Sequence, residues 1–152
     1  MTKRFWLMKS EPSTFSIDDL ARVGTTAWEG VRNYVARNNL RDAQVGDEVL
    51  FYHSSADPTG VAGVAKVVKT AYPDPSQFDP KSDYFDAGSK RDDPRWVVVD
   101  VAFVKKLPRV VTLEEIKSSP ALKNMVVAQK GARHSVQPVT PAEFKAVLAA
   151  AR

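Results

Sequence analysis

Gly46-Asp47-Glu48-Val49-Leu50-Phe51-Tyr52-His53, followed by Asp57-Pro58-Thr59-Gly60 and then Val61-Ala62-Gly63-Val64-Ala65-Lys66-Val67-Val68, is the stretch that decides the fold. Gly46-Asp47 marks a turn, and the apolar run Val49 to Tyr52 that follows suits a strand. Asp57 to Gly60 is a second turn. The valine-rich run Val61 to Val68, interspersed with glycine and alanine, then reads as a strand folded back on the first as a hairpin.

Working outward, Phe5 to Met8 reads as a short strand with Phe5 and Leu7 on one face and Trp6 and Met8 on the other. Ser16-Ile17-Asp18-Asp19 resembles a cap opening a short helix through Arg22, with Gly24 as its stop. Trp28 to Asn33 is turn-like, and Asn33 to Asp42 reads as an irregular helix or a loop with helical turns. Tyr72 to Pro94 is rich in proline and aspartate without hydrophobic periodicity, so it is expected to be a long loop. Trp96 to Val104 is the longest strand signal. Thr112-Leu113-Glu114-Glu115 and Thr140-Pro141-Ala142-Glu143 fit capping boxes, each followed by a short helix. The last, about Pro141 to Ala150, puts Phe144, Val147 and Leu148 on one face. Short strands with helices inserted between and after them imply a compact α+β barrel rather than a βαβ parallel sheet.

At 152 residues the chain is expected to form a single domain over 1–152. Its 43% hydrophobic and 26% charged content is ordinary globular usage and argues against disorder. The absence of cysteine excludes disulfides, thiolate zinc sites and a cysteine nucleophile. Phe5 to Met8 is cut short by Lys9 and Glu11, which is unlike a signal peptide, and no stretch has the length of a membrane span. A monomer in cytoplasm, or in the nucleus of a eukaryote, is expected, with no membrane partner.

Phosphate loops, nucleophile elbows, H-E-x-x-H and dinucleotide fingerprints are all missing. His53 and His134 are the only histidines, too few for a histidine-rich metal site, and the aspartates of the 72–94 loop lack calcium-loop spacing. No catalytic residue, metal or cofactor is therefore expected. The formal charge of +4 favours polyanions only weakly; placement says more, with Arg32, Arg37 and Arg41 in one segment and Lys130 and Arg133 in another.

Polar and aromatic residues crowd where strands end: Lys9-Ser10-Glu11 after the first strand, Trp28 to Asn33 after the first helix, and Tyr52-His53-Ser54 closing another strand. If these ends converge they make a pocket with an aromatic wall, hydrogen-bonding groups and a cationic rim, which suits a nucleobase. Trp28, with Glu29, Gly30, Arg32 and Asn33 around it, is the stacking candidate, and Trp96 belongs to the core. Trp6 fits either place, and His53 is a structural hydrogen-bond partner or a base contact. Lys9 and Glu11 read the base edge or form a surface ion pair. The arginines hold phosphates or pair with Glu29 or Asp42.

Several blocks together are specific. Trp6-Leu7-Met8-Lys9-Ser10-Glu11-Pro12, Trp28-Glu29-Gly30-Val31-Arg32-Asn33-Tyr34, Ala36-Arg37-Asn38-Asn39-Leu40-Arg41, Gly46-Asp47 with Phe51-Tyr52-His53-Ser54, Ala71-Tyr72-Pro73-Asp74-Pro75 and Ser135-Val136-Gln137-Pro138-Val139 resemble the EVE domain family, in order and over nearly the whole chain. The chain departs from the family pattern at His134, where leucine is usual, and at Ala43, where methionine is common. The resemblance implies a PUA-like fold: a curved, mostly antiparallel β-barrel with flanking short helices, related to YTH and ASCH domains. It also implies a non-catalytic module that recognises a modified base, a modified cytosine in DNA above all, or a base in RNA as YTH relatives do.

On that reading Trp28 is a cage wall, and Lys9, Ser10, Glu11 and Asn33 read the base edge, with Trp6, Tyr52, His53 and Ser54 as further base-binding candidates. Arg32, Arg37, Arg41, Lys130 and Arg133 are the phosphate-binding candidates. Two alternatives remain: an amidohydrolase-like enzyme acting on a modified nucleoside through Lys9 and Glu11, and a small-molecule nucleoside sensor.

Overall fold

In the computed structural model, which describes residues 3–152, strand β1 is Phe5–Ser10, helix α1 Ile17–Val23, β2 Thr25–Ala27, α2 Tyr34–Asp42, β3 Glu48–His53 and β4 Gly60–Pro73. A 3-10 turn at Pro75–Phe78 and an irregular stretch lead to β5 Val97–Thr112, then α3 Leu113–Ser118, a 3-10 turn at Val126–Ala128, β6 Val136–Val139 and α4 Pro141–Ala150. The first two residues of the expected 1–152 domain lie outside the described residues.

The expected hairpin is the centre of the sheet. β3 and β4 pair antiparallel, with Ala62 bulged out where the register shifts between Phe51 and Tyr52. The strand order is β2-β5-β4-β3-β1-β6, all antiparallel except the parallel pair β1–β3. The α+β class, the antiparallel bias and the short flanking helices are as expected, with the YTH-like kinship taken up below. The sheet is less closed than the word barrel implies, because its ladder ends at β2 and β6 instead of joining them.

Period-two alternation sorts the core onto two faces. Trp6 and Met8 of β1, with Val49 and Phe51 of β3, face Ile17 and Leu20 of α1 and Ala36 and Leu40 of α2. Leu7, Leu50 and Tyr52 point the other way, toward Ile116 of α3 and Phe144 and Val147 of α4. Leu7, Met8, Leu50 and Phe51 are fully buried, each contributing about 1.5–3 kcal/mol of hydrophobic stabilisation. Gly63 allows α1 its close approach: a Cβ there would fall on the Ile17 side chain and the Lys105 carbonyl oxygen.

Helix starts follow local chemistry. Ser16, Thr112 and Thr140 each complete a reciprocal capping box with Asp19, Glu115 and Glu143. α2 is a regular helix and not the irregular segment expected, because the Asn33 side chain caps it by accepting from the Ala36 N–H at 3.0 Å. β4 and β5 run longer than their sequence signals, to 14 and 16 residues, and β2 had no signal of its own. The expected 72–94 loop therefore begins inside β4, and Trp96 immediately precedes β5 rather than starting it.

The rest of that segment is pinned from within. Gln77, fully buried, donates to the Asp74 and Trp96 carbonyls and accepts from Ser89 and from the Trp96 N–H. The Asp86 carboxylate takes the Trp96 indole N–H at 2.8 Å.

One exposed pair ties α3 to the end of β5. Arg109 makes a forked contact with Glu115, at 2.6 and 2.8 Å, while Glu115 also accepts from the Thr112 N–H. These donors pull the Glu115 carboxyl down to about 2 from its ordinary 4.5. A lowered folded value means stability present above about pH 4.5 and lost as the pH falls toward 2. Glu115→Gln is expected to flatten the acid limb of a stability profile between those values, measured by urea denaturation; an unchanged limb would show that the pair carries no linkage.

Candidate nucleic-acid interface

The ends of β1 and β3 meet in register, Lys9 beside Tyr52 and Ser10 beside His53. β1 continues through Ser10, so Lys9 and Ser10 leave on the rigid end of a strand rather than in a loop. Ser10 Oγ donates to the Phe15 carbonyl at 2.6 Å, and the Ser54 N–H donates to the Ser10 carbonyl at 3.0 Å. Across β1 lies the segment before β6, where Ser135 accepts the Lys9 N–H at 2.8 Å. Buried Gln137 fastens this segment by donating to the carbonyls of Ala132 and His134.

Between these pieces lies an open cavity of about 740 Å³, large enough for a nucleobase. Lys9, Ser10, Glu11 and Ser54 line it from the strand ends, Trp28 and Glu29 from the segment after β2, and Arg133 from the segment before β6. Phe15 and Tyr84 add aromatic surface. The structure brings Lys9-Ser10-Glu11, Trp28 and Ser54 together around this cavity.

Trp28 is 7% exposed and meets Phe51 edge-on, centroids 5.4 Å apart at 86°, so it presents a limited patch from a fixed ring. Tyr84 is 43% exposed and lies over Gly30, whose φ is +82°. A Cβ at Gly30 would come within 2.6 Å of the Tyr84 ring, so only glycine lets that ring settle there. Tyr84 and Phe15 are not among the residues expected at the site from sequence. Neither had a periodic signal, and Tyr84 sat in a stretch that reads as solvated acidic loop.

Burial lowers the Lys9 ammonium from its ordinary range, and the group donates to the Ala132 carbonyl at 3.4 Å. Glu29 is raised, by burial first and then by the Asp74 carboxylate, with Arg32 opposing. His134 is lowered by burial and then by the Lys9 charge. The cavity therefore offers a partly desolvated cation, carboxyl acceptors and aromatic faces together.

Several expected site residues have other engagements. Trp6 turns with Met8 into the core, and its indole N–H donates to Asp47 at 2.9 Å, so it stands outside the cavity lining. Tyr52 points to the opposite face of the sheet, where burial pushes its hydroxyl up to about 12. His53 Nε2 accepts the Ile17 N–H at 3.1 Å, a structural tie to α1. Asn33 is the α2 cap rather than an edge reader.

Arg32 is turned inward. It donates to Asp74 at 3.1 Å, to Ser76 Oγ at 3.2 Å and to the Tyr84 carbonyl at 3.1 and 2.6 Å. Arg37 lies 4.6 Å from the Tyr34 ring centroid and donates to Asn38 and to the Arg95 carbonyl. Arg41, Lys130 and Arg133 are exposed. Among the described residues no three His, Asp or Glu side chains are grouped to hold a metal ion, and no helix is long and apolar enough to cross a membrane.

A mixed, mostly antiparallel sheet with helices on both faces and a cavity at the ends of its central strands is a small domain with a PUA-like, YTH-type fold. The YTH domain of the Zygosaccharomyces rouxii MRB1 protein, solved with N6-methyladenosine RNA, shares this fold at a TM-score of 0.53 and 16% identity, over 99% of this chain and 87% of its own. The chain belongs to the EVE domain family: residues 4–150 match the EVE domain. Human thymocyte nuclear protein 1 is 45% identical over 162 residues, covering 94% of this chain and 72% of the human protein. A crystal structure of the human protein in complex with 5-methylcytosine-containing DNA has a TM-score of 0.93 at 43% identity, covering 99% of this chain and 98% of that one. A Pseudomonas putida protein matches at a TM-score of 0.95 and 49% identity, over 97% and 99% of the two chains.

Proposed function

We propose that this chain is a non-catalytic module that binds nucleic acid and seats a modified base, a modified cytosine in DNA above all, in the cavity beside Trp28. The observation that carries this reading is the composition of that one cavity: aromatic surface, a partly desolvated lysine and carboxylates around a space large enough for a base. The human relative's complex with methylated DNA supports it. A cytosine presents an exocyclic amino donor, which Glu11 or Glu29 can accept, and ring and carbonyl acceptors, which Lys9 can serve. Its 5-methyl group would meet apolar surface from Ala27 or Val31. Arg133 on the rim, with Lys130, Arg37 and Arg41 farther out, would meet the phosphate backbone.

Fluorescence polarisation with duplexes carrying 5-methylcytosine, cytosine or N6-methyladenine, at two salt concentrations, tests this. The methylated cytosine is expected to bind tightest, with affinity falling as salt rises. Trp28→Leu, which keeps apolar bulk under the cavity, should reduce the preference by the ~1–3 kcal/mol of a base–aromatic stack. Equal, weak, salt-insensitive binding of all three duplexes would sink the reading.

The lowered Lys9 sharing a cavity with Glu11 favours one second reading, an amidohydrolase-like enzyme, since a desolvated lysine can act as base or nucleophile. Turnover of an acetylated nucleoside, lost in Lys9→Ala, would select it. Binding of a free nucleoside that is indifferent to Arg37 and Arg41 would select a sensor instead.

A further inference from the structure

We propose that Tyr84 is the second wall of the base cavity and that Arg32 is its positioning residue, with no phosphate contact of its own. The proposal rests on the base-binding reading above, because the wall needs a flat occupant. Tyr84 sits on the irregular stretch between the Pro75–Phe78 turn and β5, lines the same cavity as Trp28, and rests its ring on Gly30. Tyr84 keeps 43% of its surface exposed, so it is open to an occupant of the cavity it lines.

Its backbone is held tightly all the same. Arg32 Nε and Nη2 both donate to the Tyr84 carbonyl, at 3.1 and 2.6 Å, and the guanidinium carbon lies 5.6 Å from the Tyr84 ring centroid. The other side of that guanidinium is fixed: Nη1 donates to Asp74 at 3.1 Å and to the Val31 carbonyl at 2.9 Å, and Nη2 also reaches Ser76 Oγ. Arg32 further lies 5.4 Å from the Trp96 ring centroid.

All three guanidinium nitrogens thus donate inside the protein, which leaves no open fork for a phosphate. The Asp74 carboxylate that anchors Arg32 also takes the Gly30 N–H at 3.0 Å. One buried carboxylate therefore sets both the glycine under the Tyr84 ring and the arginine that holds the Tyr84 carbonyl. A lysine has the charge of Arg32 without its planar fork.

Arg32→Lys, Arg32→Gln, Tyr84→Ala and Tyr84→Phe separate the roles. Binding of 5-methylcytosine and cytosine duplexes is followed across a salt series, and hydrogen exchange is followed at residues 82–89. Tyr84→Ala is expected to lose about tenfold of the modified-base preference, and Tyr84→Phe to retain it. Arg32→Lys should lose the preference as Tyr84→Ala does and speed exchange at 82–89, while Arg32→Gln, which removes the charge, should keep the wild-type salt slope.

Unchanged preference and exchange in Arg32→Lys, together with a salt slope smaller by about 1 in Arg32→Gln, would make Arg32 a phosphate ligand and overturn its assigned role. Full preference in Tyr84→Ala would overturn the wall. If the wild-type protein itself shows no preference, the base-binding reading falls and the wall with it. The positioning role of Arg32 is then decided by exchange alone, and unchanged exchange in Arg32→Lys overturns it.

Discussion

Phe51→Ala is expected to lower the unfolding free energy by about 3–5 kcal/mol, the cost of a fully buried aromatic truncated in a core that collapses only partly. For a chain of this length that is a fall in Tm of roughly 6–20 °C. Phe51 has no exposed surface and pairs with Met8 on one side and Gly63 on the other, in the middle of the sheet. Its ring lies against Trp28 at 5.4 Å, His53 at 5.7 Å and Phe15 at 6.4 Å between centroids. Trp28 and Phe15 both line the cavity, so the void left by the truncation opens directly beneath its floor. The variant should therefore also bind a modified base more weakly while still folded. Ile116→Val, buried on the opposite face, is the control: about 0.5–1.5 kcal/mol of stability lost, with binding intact. Denaturant titration beside a binding assay checks both variants, and a loss below about 1 kcal/mol for Phe51→Ala would mean the core repacks around the gap.

What could be read from the sequence is what local chemistry encodes. The β3–β4 hairpin follows from two apolar runs and their turns, and the faces of Phe5 to Met8 follow from strict alternation, which sends Trp6 and Leu7 to opposite sides of the sheet. α1, α3 and α4 start where a capping box sits. α2 has Asn33 as its cap but Ala36 at the third helical position, so the reciprocal half of the box is missing and the signal weakens. β4 outruns its signal across register shifts at Val67/Lys69 and Lys69/Tyr72, and β5 outruns its own opposite the shifts at Val61/Gly63 and Val64/Ala65, each of which breaks the period of two along the paired ladder.

The candidate site divides the same way. Lys9 to Glu11 and Trp28 were legible as polar and aromatic residues at element ends. Tyr84 was not, because the carbonyl contact that holds it comes from Arg32, 52 positions away in the chain, and a side chain reaching a distant backbone leaves no periodic trace. Asp74 likewise looked like one aspartate among several in an acidic stretch. Nothing local distinguishes the one that is buried.

That aspartate carries the second large effect: Asp74→Ala is expected to cost about 3–5 kcal/mol, the range for breaking a buried ion pair by removing one partner. The Asp74 side chain has no exposed surface, and the Arg32 side chain is only 23% exposed. Four donors converge on its two oxygens: the Ser76 N–H at 2.8 Å and hydroxyl at 2.5 Å on Oδ1, the Gly30 N–H at 3.0 Å and Arg32 at 3.1 Å on Oδ2. Alanine strands all four. Asparagine, though nearly the same shape, should be almost as damaging, because its NH2 must face two donors at whichever oxygen position it takes.

Burial by itself would raise the Asp74 carboxyl, but the hydrogen bonds from Ser76, Gly30 and Arg32 together outweigh it and hold the group below its ordinary value. The sign follows from that: its stabilisation is present above the ordinary carboxyl range and disappears as the pH falls through the lower folded value. Asp74→Ala should therefore lose most stability near neutrality and approach the wild type in strong acid, whereas Phe51→Ala should lag behind by a similar amount at every pH. Urea midpoints measured from neutral pH down to about pH 2 distinguish the two, and a pH-independent deficit in Asp74→Ala would show that this carboxylate is not the charged anchor beside the cavity.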